Sequence, residues 1–296
     1  MAQVKKDEIK NFWNQNPVGE NFIEYGDGGA EFFERYDQFR YRTEGHILSE
    51  LDKIDFKNKD VLEIGIGQAA DSAQIVKRGA NYYGIDLTET SIKRIKDRFK
   101  LSNLPYKEIQ VANAEKIPYP DNFFDMVYSH GVIHHSPNIE KIVEEIHRVL
   151  KPGGTAIIML YHKNSFNYHV SISIFRRIGL SLLMIFPFLS RVIQKITGED
   201  AERINEHRKN IRKEGLSYLN MKNFIHRSTD GPLNIYSSVW NAKTASILFK
   251  KFNKIKTNIH FLNERHLLGI QHLVSKKLKQ KLAEKYGWHL WIKAEK

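Results

Sequence analysis

Short apolar runs alternate with segments of helical spacing along the first half of the chain. Residues 61–64 form an apolar run around one acid, and this run stops at a turn that contains Gly65 and Gly67. A second run ends in Asp86, and three more follow at 109–112, 123–127 and 155–160. Runs of this length, bounded by turn residues, are typical of buried strands.

One segment between these runs has the spacing of an amphipathic helix. Its apolar residues occupy positions 139, 142, 143, 146, 149 and 150. They recur at intervals of three and four, which places them on one face of a helix. The sequence Lys-Pro-Gly-Gly at 151–154 then predicts a stop before the next strand. Strands and helices in alternation predict an α/β fold with a mostly parallel sheet.

The glycine turn and Asp86 give the first chemical information. Glycine lets the backbone approach a ligand because no Cβ stands in the way. An acid at the end of the next strand can accept hydrogen bonds from a ribose diol. The dinucleotide fingerprint G-x-G-x-x-G fits poorly, because Gln-Ala-Ala follows Gly67 without a third glycine. The pattern therefore predicts a nucleoside site and disfavours a dehydrogenase.

Residues 63–69 resemble motif I of the class I S-adenosylmethionine-dependent methyltransferases, which reads roughly acid-x-G-x-G-x-G. Glu63 is the acid, Gly65 and Gly67 are the first two glycines, and Ala69 stands in the place of the last one. The core looks like the branch that contains ubiquinone and menaquinone biosynthesis methyltransferases and related type 11 enzymes. That branch methylates carbon, oxygen and nitrogen, so the resemblance does not fix the acceptor atom.

The resemblance covers about residues 45–160. It includes Asn113-Ala114 at the end of the third predicted strand, the loop after the fourth, and the helix, Pro-Gly-Gly stop and strand that follow. It implies a Rossmann-like seven-stranded, mostly parallel sheet with helices on both faces. Residues 252–262 and 287–294 supply the last two strands, and the resemblance implies that the final strand is inserted antiparallel.

The resemblance also implies S-adenosylmethionine as the cofactor. Asp86 would bind the ribose, Asn113 would frame the adenine, and Glu63 would contact the sugar or orient the turn indirectly. The expected cofactor-binding residues are Glu63, Gly65, Gly67, Asp86, Leu87, Asn113, Ala114, Ser129 and His130. The last two are expected near the methionine portion.

Methyl transfer from a sulfonium is an in-line displacement, so the enzyme mainly positions the acceptor and excludes water. A general base is needed only if the acceptor must lose a proton. The candidates for catalysis are His134, His135 and Tyr161, and those for acceptor contacts are Tyr25, Arg40, His162, Tyr236 and Arg265. No metal site is expected, since the thirteen histidines include no helical H-x-x-x-H set with a carboxylate.

The chain divides into four predicted parts: a helical cap over 1–44, the cofactor-binding core over 45–160, a lid insertion over 161–240, and the rest of the core sheet over 241–296. The insertion contains an apolar stretch at 178–190 that is too short to span a bilayer. It is either a buried lid helix or an interfacial segment, which makes 171–195 a candidate peripheral membrane contact. Basic residues flank it, so we expect an apolar or lipid-like small-molecule acceptor.

Charge is distributed unevenly. Residues 1–160 carry 21 Lys and Arg against 25 Asp and Glu, whereas residues 161–296 carry a net charge of +16. This asymmetry indicates either attraction to an anionic surface or a merely soluble basic surface. The chain has no cysteine, which excludes a disulfide or a thiol nucleophile. Its first residues lack the apolar run of a signal peptide, so a cytoplasmic location is expected.

Two other functions stay open at this point. A nucleic-acid methyltransferase would use the basic second half, although the sequence Ser-His-Gly-Val at 129–132 replaces the Asp/Asn-Pro-Pro-aromatic motif of amino-directed base methyltransferases. No specific nucleic-acid partner is therefore expected. A non-catalytic protein that keeps the cofactor fold as a binding module is the other alternative, and only an assay of turnover separates it from an enzyme.

Overall fold

The computed structural model describes residues 6–19, 23, 25, 29–197, 200–263 and 274–296. Within them the strands form one seven-stranded sheet with the order β3-β2-β1-β4-β5-β7-β6. The strands are β1 Asp60–Ile64, β2 Asn81–Asp86, β3 Glu108–Val111, β4 Phe124–His130, β5 Leu150–Tyr161, β6 Lys254–His260 and β7 His289–Glu295. The first five strands pair in parallel. The predicted α/β fold is confirmed.

The last strand is inserted antiparallel between β5 and β6. At one end, the backbone N–H of Gly153 donates to the carbonyl of Lys296, and the N–H of Lys296 donates to that of Gly154. At the other end, the N–H of His162 donates to the carbonyl of Trp288. The start of β5 therefore lies beside the end of β7, as the sequence implied.

The chain separates into two compact units. The core unit comprises Lys5–Leu160, Ala242–Asn258 and Leu290–Lys296, and the second unit comprises Tyr161–Asn241 and Ile259–His289. The described helices of the core unit are α1 Lys6–Gln15, α2 Ala30–Thr43, α3 His46–Leu51, α4 Ala70–Lys77, α5 Glu89–Leu101, α6 Ile139–Val149 and α11 Ala242–Leu248. Those of the second unit are α7 Arg177–Ile185, α8 Ser190–Thr197, α9 Ala201–Glu214, α10 Met221–Thr229 and α12 Lys276–Tyr286.

The amphipathic helix expected near residue 139 is α6. Its apolar positions Ile139, Ile142, Val143, Ile146 and Val149 are all buried, which stabilises the helix against the sheet. The helix ends at Val149, but the following strand begins one residue later, at Leu150, rather than at 155. The Pro-Gly-Gly segment therefore belongs to β5, where its backbone bonds to the end of the chain.

The second unit has its own apolar core. A π-helical segment, Asn167–Arg176, leads into α7, and side chains from this segment, from α7, α9 and α10, and from the 3₁₀ helix at Gly215–Leu219 meet. The buried members of this cluster, called the insertion core below, are Ile172, Leu180, Leu183, Ile204, Ile211, Tyr218, Leu219, Phe224, Ile225 and Trp288. The unit also contains short 3₁₀ helices at Pro187–Leu189 and Gly215–Leu219.

Candidate functional site

The glycine turn lies where β1 ends, next to the point at which the strand order reverses between β1 and β4. In open α/β sheets, ligands bind at such switch points, beyond the carboxyl ends of the strands. Gly65 and Gly67 have φ values of 79° and 57°, a region that favours glycine. A Cβ on Gly65 would collide with the side chain of Val132 in the loop after β4. The turn therefore requires glycine for its conformation and for its close packing.

Asp86 joins the end of β2 to this turn. Its Oδ2 accepts a hydrogen bond from the backbone N–H of Ile66 at 2.8 Å, and its Oδ1 accepts from the N–H and the hydroxyl of Thr88 at 2.8 and 2.7 Å. Burial raises the pKa of Asp86, whereas these donors act in the opposite direction. A carboxylate offers about four lone-pair positions, so Asp86 can hold the turn and still accept from a ligand. Leu87, the next residue, is half-buried.

Glu63 lies beneath the turn rather than on its surface. Its carboxylate is buried and accepts hydrogen bonds from the hydroxyls of Ser72 and, at 2.5 Å, of Tyr82. Burial raises its pKa to about 8. These contacts tie Glu63 to α4 and to β2, and each of its two expected roles stays a prediction.

Asn113 lies two residues after the end of β3, and its side-chain oxygen already accepts a hydrogen bond. Its Oδ1 accepts from the N–H of Glu115 at 2.9 Å and caps the 3₁₀ helix Ala114–Lys116. The amide NH2 is therefore the group that Asn113 can offer to the edge of a base. Ala114 beside it is half-buried.

Ser129 connects the two central strands. Its hydroxyl donates to the carbonyl of Ile64 at 2.9 Å, and the side chain is buried. Ser129 therefore braces the last residue of β1, directly before the glycine turn.

A buried ionic network surrounds His130, and sequence reasoning missed most of it. Arg40 of α2 donates Nε to Asp71 Oδ1 at 3.0 Å and Nη2 to Asp71 Oδ2 at 2.8 Å. The hydroxyls of Tyr41 and Tyr128 also donate to Asp71, at 3.2 and 2.9 Å. Arg40, expected to contact the acceptor, is thus held by Asp71 at the start of α4. No local motif marks such a pair, because its members lie 31 residues apart.

Burial and the ion pair between Arg40 and Asp71 shift the pKa values of the groups in this network. The Arg40 guanidinium holds the pKa of Asp71 well below its usual range even though burial acts against ionisation. His130 Nδ1 lies 3.3 Å from Arg40 Nη2. Burial, with the Arg40 charge added, lowers the pKa of His130 to about 3. His130 is therefore neutral at physiological pH.

His134 and His135 occupy a short 3₁₀ helix after β4. Their ring centroids are 4.4 Å apart, and both side chains are buried. Burial, followed by the neighbouring histidines, lowers the pKa of His134 well below its ordinary value. His134 is thus a weak base, which limits its use in proton abstraction at neutral pH.

The first helix crosses the carboxyl ends of three strands. Lys10 Nζ lies 2.6 Å from Glu89 after β2, Lys6 Nζ lies 2.5 Å from Glu115 after β3, and the Trp13 ring packs edge-on against His135 after β4, at 5.0 Å. Helix α1 therefore covers the edge at which Asp86, Asn113 and the glycine turn meet.

The remaining predicted residues lie in other surroundings. Tyr25 packs against Phe32 at 4.7 Å and lies under the Arg94 guanidinium at 4.3 Å, in the core unit. Tyr161 and His162 belong to the second unit: Tyr161 donates to Asp230 at 2.8 Å and stacks on Trp288, and His162 Nδ1 lies 2.9 Å from the carbonyl of Gly287.

Two more predicted acceptor contacts complete this set. Tyr236, in the second unit, stacks on His226 with ring centroids 4.9 Å apart. Arg265 lies outside the described residues.

Comparison with known proteins finds one family model that matches the strands around the glycine turn. The family described as "Methyltransferase domain" matches residues 62–158, the segment from β1 to β5. A Thermotoga maritima structure described as an S-adenosylmethionine-dependent methyltransferase superposes with a TM-score of 0.50 at 15% identity, over 90% of this chain and 97% of that one. At 15% identity, this structural similarity establishes the fold alone.

Two curated relatives match about a third of the chain. Phosphoethanolamine N-methyltransferase 2 of Caenorhabditis elegans is 32% identical over 111 residues, which are 37% of this chain and 25% of the relative. The chloroplastic tocopherol O-methyltransferase of Arabidopsis thaliana is 36% identical over 111 residues, which are 36% of this chain and 32% of the relative. The chain thus spans about a quarter to a third of the length of these relatives.

Proposed function

The chain carries a class I S-adenosylmethionine-dependent methyltransferase domain, and we propose that it transfers the methyl group to a small apolar or amphipathic acceptor. The observation that carries the proposal is the hydrogen bond from Ile66 N–H to Asp86 Oδ2. It fixes Asp86, the acid that we assign to the ribose, against a turn whose two glycines have positive φ. Asn113 presents its amide along the same edge of the sheet.

The residues at this edge fit the cofactor part by part. Three of the roughly four lone-pair positions of Asp86 accept from Ile66 and Thr88, so Oδ2 has about one left for a ribose hydroxyl, and the NH2 of Asn113 suits an acceptor atom on the adenine edge. The backbone of Gly65 and Gly67 allows close approach of the methionine portion. We assign Leu87 and Ala114 to packing against the nucleoside, and Glu63 and Ser129 to support of the turn from below.

S-adenosylmethionine supplies a methyl group that its sulfonium already activates for in-line displacement. The protein is left with positioning the acceptor and excluding water. Helix α1 excludes water by covering the edge of the sheet, with Trp13 against His135. His134 and His130 stay neutral because burial lowers the pKa of each. We propose that the histidines shape the site, and that a proton released by an O–H or N–H acceptor passes to His135 or to solvent.

The apolar core of the second unit is the feature that bears on the acceptor. The names of the two relatives refer to phosphoethanolamine and tocopherol, one polar and one apolar, so these names do not select an acceptor. The second unit of this chain contributes an apolar insertion core in addition to the methyltransferase domain. The expected roles of Tyr161 in catalysis and of His162 and Tyr236 in acceptor contact stay predictions from the sequence, and we reassign Arg40 to positioning.

The test is transfer of a labelled methyl group. The purified protein is incubated with S-adenosylmethionine labelled in the methyl group and with a total lipid extract, and the label is counted in organic and aqueous phases. We expect label in the organic phase, and its loss with Asp86→Ala but not with the exposed-site control Asp97→Ala. Label only in added nucleic acid or in the aqueous phase would contradict the proposed acceptor class.

A further inference from the structure

The second unit exposes an apolar surface next to basic residues. In α7, Ile178, Leu182 and Ile185 are 54, 40 and 67% exposed. The 3₁₀ helix that follows exposes Phe188 by 73%, and α8 exposes Val192 by 49%. Soluble proteins rarely present contiguous large apolar side chains of this kind without a partner.

Helix α7 has two faces with different environments. Leu180 and Leu183 are buried in the insertion core, whereas Ile178, Leu182 and Ile185 are exposed. At 100° per residue, the buried pair and the exposed set lie on opposite sides of the helix. The exposed residues are therefore not needed to fold the unit. We call Ile178, Leu182, Ile185, Phe188 and Val192 the outer face.

Basic side chains border the outer face on α8. Arg191 and Lys195 are exposed and lie one turn apart, on the same side of the helix as Val192. Ile193 of the same helix packs against the insertion core. One side of α8 therefore holds the helix in place, and the other presents an apolar residue between two cations. Cations beside an apolar strip are typical of helices that lie in the plane of a membrane interface.

The same segment could be taken for a membrane span. Asn167–Ile185 is a helix of 19 residues that is long and apolar enough to cross a membrane by length and composition alone. Two arginines lie in its middle, and Arg176 Nη1 donates to the carbonyl of Ser228 at 2.6 Å. Ile172, Leu180 and Leu183 are packed in the insertion core. One side of this helix is therefore packed against the protein itself, and only the other side is available to contact lipid.

We propose that the outer face docks onto an anionic lipid surface, with Ile185 and Phe188 inserted among the acyl chains and Arg191 and Lys195 at the head groups. Charge complementarity selects this occupant: residues 161–296 carry a net charge of +16, and each cation near an anionic membrane adds to attraction. The docking requires neither the cofactor nor an acceptor, so it can fail or succeed independently of methyl transfer.

The test is vesicle flotation of the whole protein at physiological salt. One vesicle type is pure phosphatidylcholine, and the other contains about one third phosphatidylglycerol. We expect flotation mainly with the anionic vesicles. Ile185→Asp and Phe188→Asp should each lower the partition coefficient by roughly tenfold or more, because each removes one apolar side chain that would be inserted among the acyl chains. Ile247→Asp is the matched control, since Ile247 is 60% exposed on α11 of the core unit; it should bind as the unchanged protein does.

The charge contribution is tested separately. Arg191→Gln combined with Lys195→Gln should lower partitioning to anionic vesicles by about tenfold. Lys243→Gln combined with Lys250→Gln removes the same charge from the core unit. This pair should change partitioning to anionic vesicles by less than about twofold. Equal losses in both pairs would overturn the proposal in favour of general cationic adhesion. Absence of flotation, or a dimer in sedimentation that Ile185→Asp dissociates, would also overturn it.

Discussion

Arg40 and Asp71 form a two-point ion pair that joins α2 to the first turn of α4, with N–O distances of 3.0 and 2.8 Å. Helix α4 begins directly after the glycine turn, at Ala70. Ala70 also packs with Phe32, Phe33 and Tyr36 in a small apolar cluster. Helix α2 is therefore held against the start of α4, directly after the turn, by an ion pair and by apolar contacts.

Removal of the arginine should destabilise the core unit strongly. Arg40→Ala leaves the buried Asp71 carboxylate without its cation, and loss of one partner of a buried pair costs about 3 kcal/mol or more. The control is Arg78→Ala, whose partner Asp52 is 65% exposed and whose ion pair is worth less than about 1 kcal/mol. Urea unfolding at pH 7 measures both. Equal losses would contradict a structural role for the Arg40–Asp71 pair.

Glu63 gives stability a predicted pH dependence. Its pKa is raised to about 8 in the folded protein by burial, whereas an unfolded chain has it near 4.3. The native state thus holds a proton that the unfolded state releases, so this group penalises folding increasingly as the pH rises from about 4 to 8. Glu63→Gln removes the titration and keeps an acceptor for Ser72 and Tyr82.

The measurement for Glu63 is the free energy of unfolding at several pH values. The variant should gain stability relative to the unchanged protein between pH 5 and 8, and the gain should level off above pH 8. A constant difference across this range would show that Glu63 does not titrate there.

Asp86 should dominate binding of the nucleoside. Asp86→Ala removes a charge-assisted hydrogen bond to the ribose and releases the N–H of Ile66, so we expect the affinity for S-adenosylhomocysteine to fall by roughly tenfold or more. Asp97→Ala on α5 is the control, because its carboxylate pairs only with the exposed Lys93 among the contacts seen. An unchanged dissociation constant in a folded Asp86→Ala protein would refute the ribose assignment.

Trp13 should act as a cover for the bound cofactor. Trp13→Ala removes the ring that packs on His135, so we expect S-adenosylhomocysteine to dissociate roughly tenfold faster while its association rate changes little. Stopped-flow displacement gives both rates. Asn11→Ala, at an exposed position of the same helix, is the control. A slower association with unchanged dissociation would mean that α1 does not close over the ligand.

Local patterns were enough to predict the sheet. Turn glycines, an acid after a strand and helical spacing over 139–150 each depend on neighbours in the chain, and the observed β1, β2 and α6 follow from them. The beginning of β5 was placed too late, because Pro-Gly-Gly ordinarily ends regular structure. In the folded chain, backbone bonds to Lys296, at the end of the sequence, keep that segment in the strand.

Long-range pairs were beyond sequence reasoning. Arg40 was assigned to the acceptor because nothing near it in sequence reveals Asp71 as its partner. The apolar stretch 178–190 was predicted to be either buried or interfacial, whereas α7 has one side buried in the insertion core and the other side exposed. Such a division depends on which neighbours pack against a helix, and one sequence does not specify them.

Titration calorimetry distinguishes an S-adenosylmethionine site from a dinucleotide site. The protein is titrated with S-adenosylhomocysteine and, in parallel, with NAD. We predict micromolar binding of S-adenosylhomocysteine and none of NAD, since the glycine turn lacks the third glycine of the dinucleotide fingerprint. Binding of NAD without binding of S-adenosylhomocysteine would contradict the account and would make the site that of a dehydrogenase.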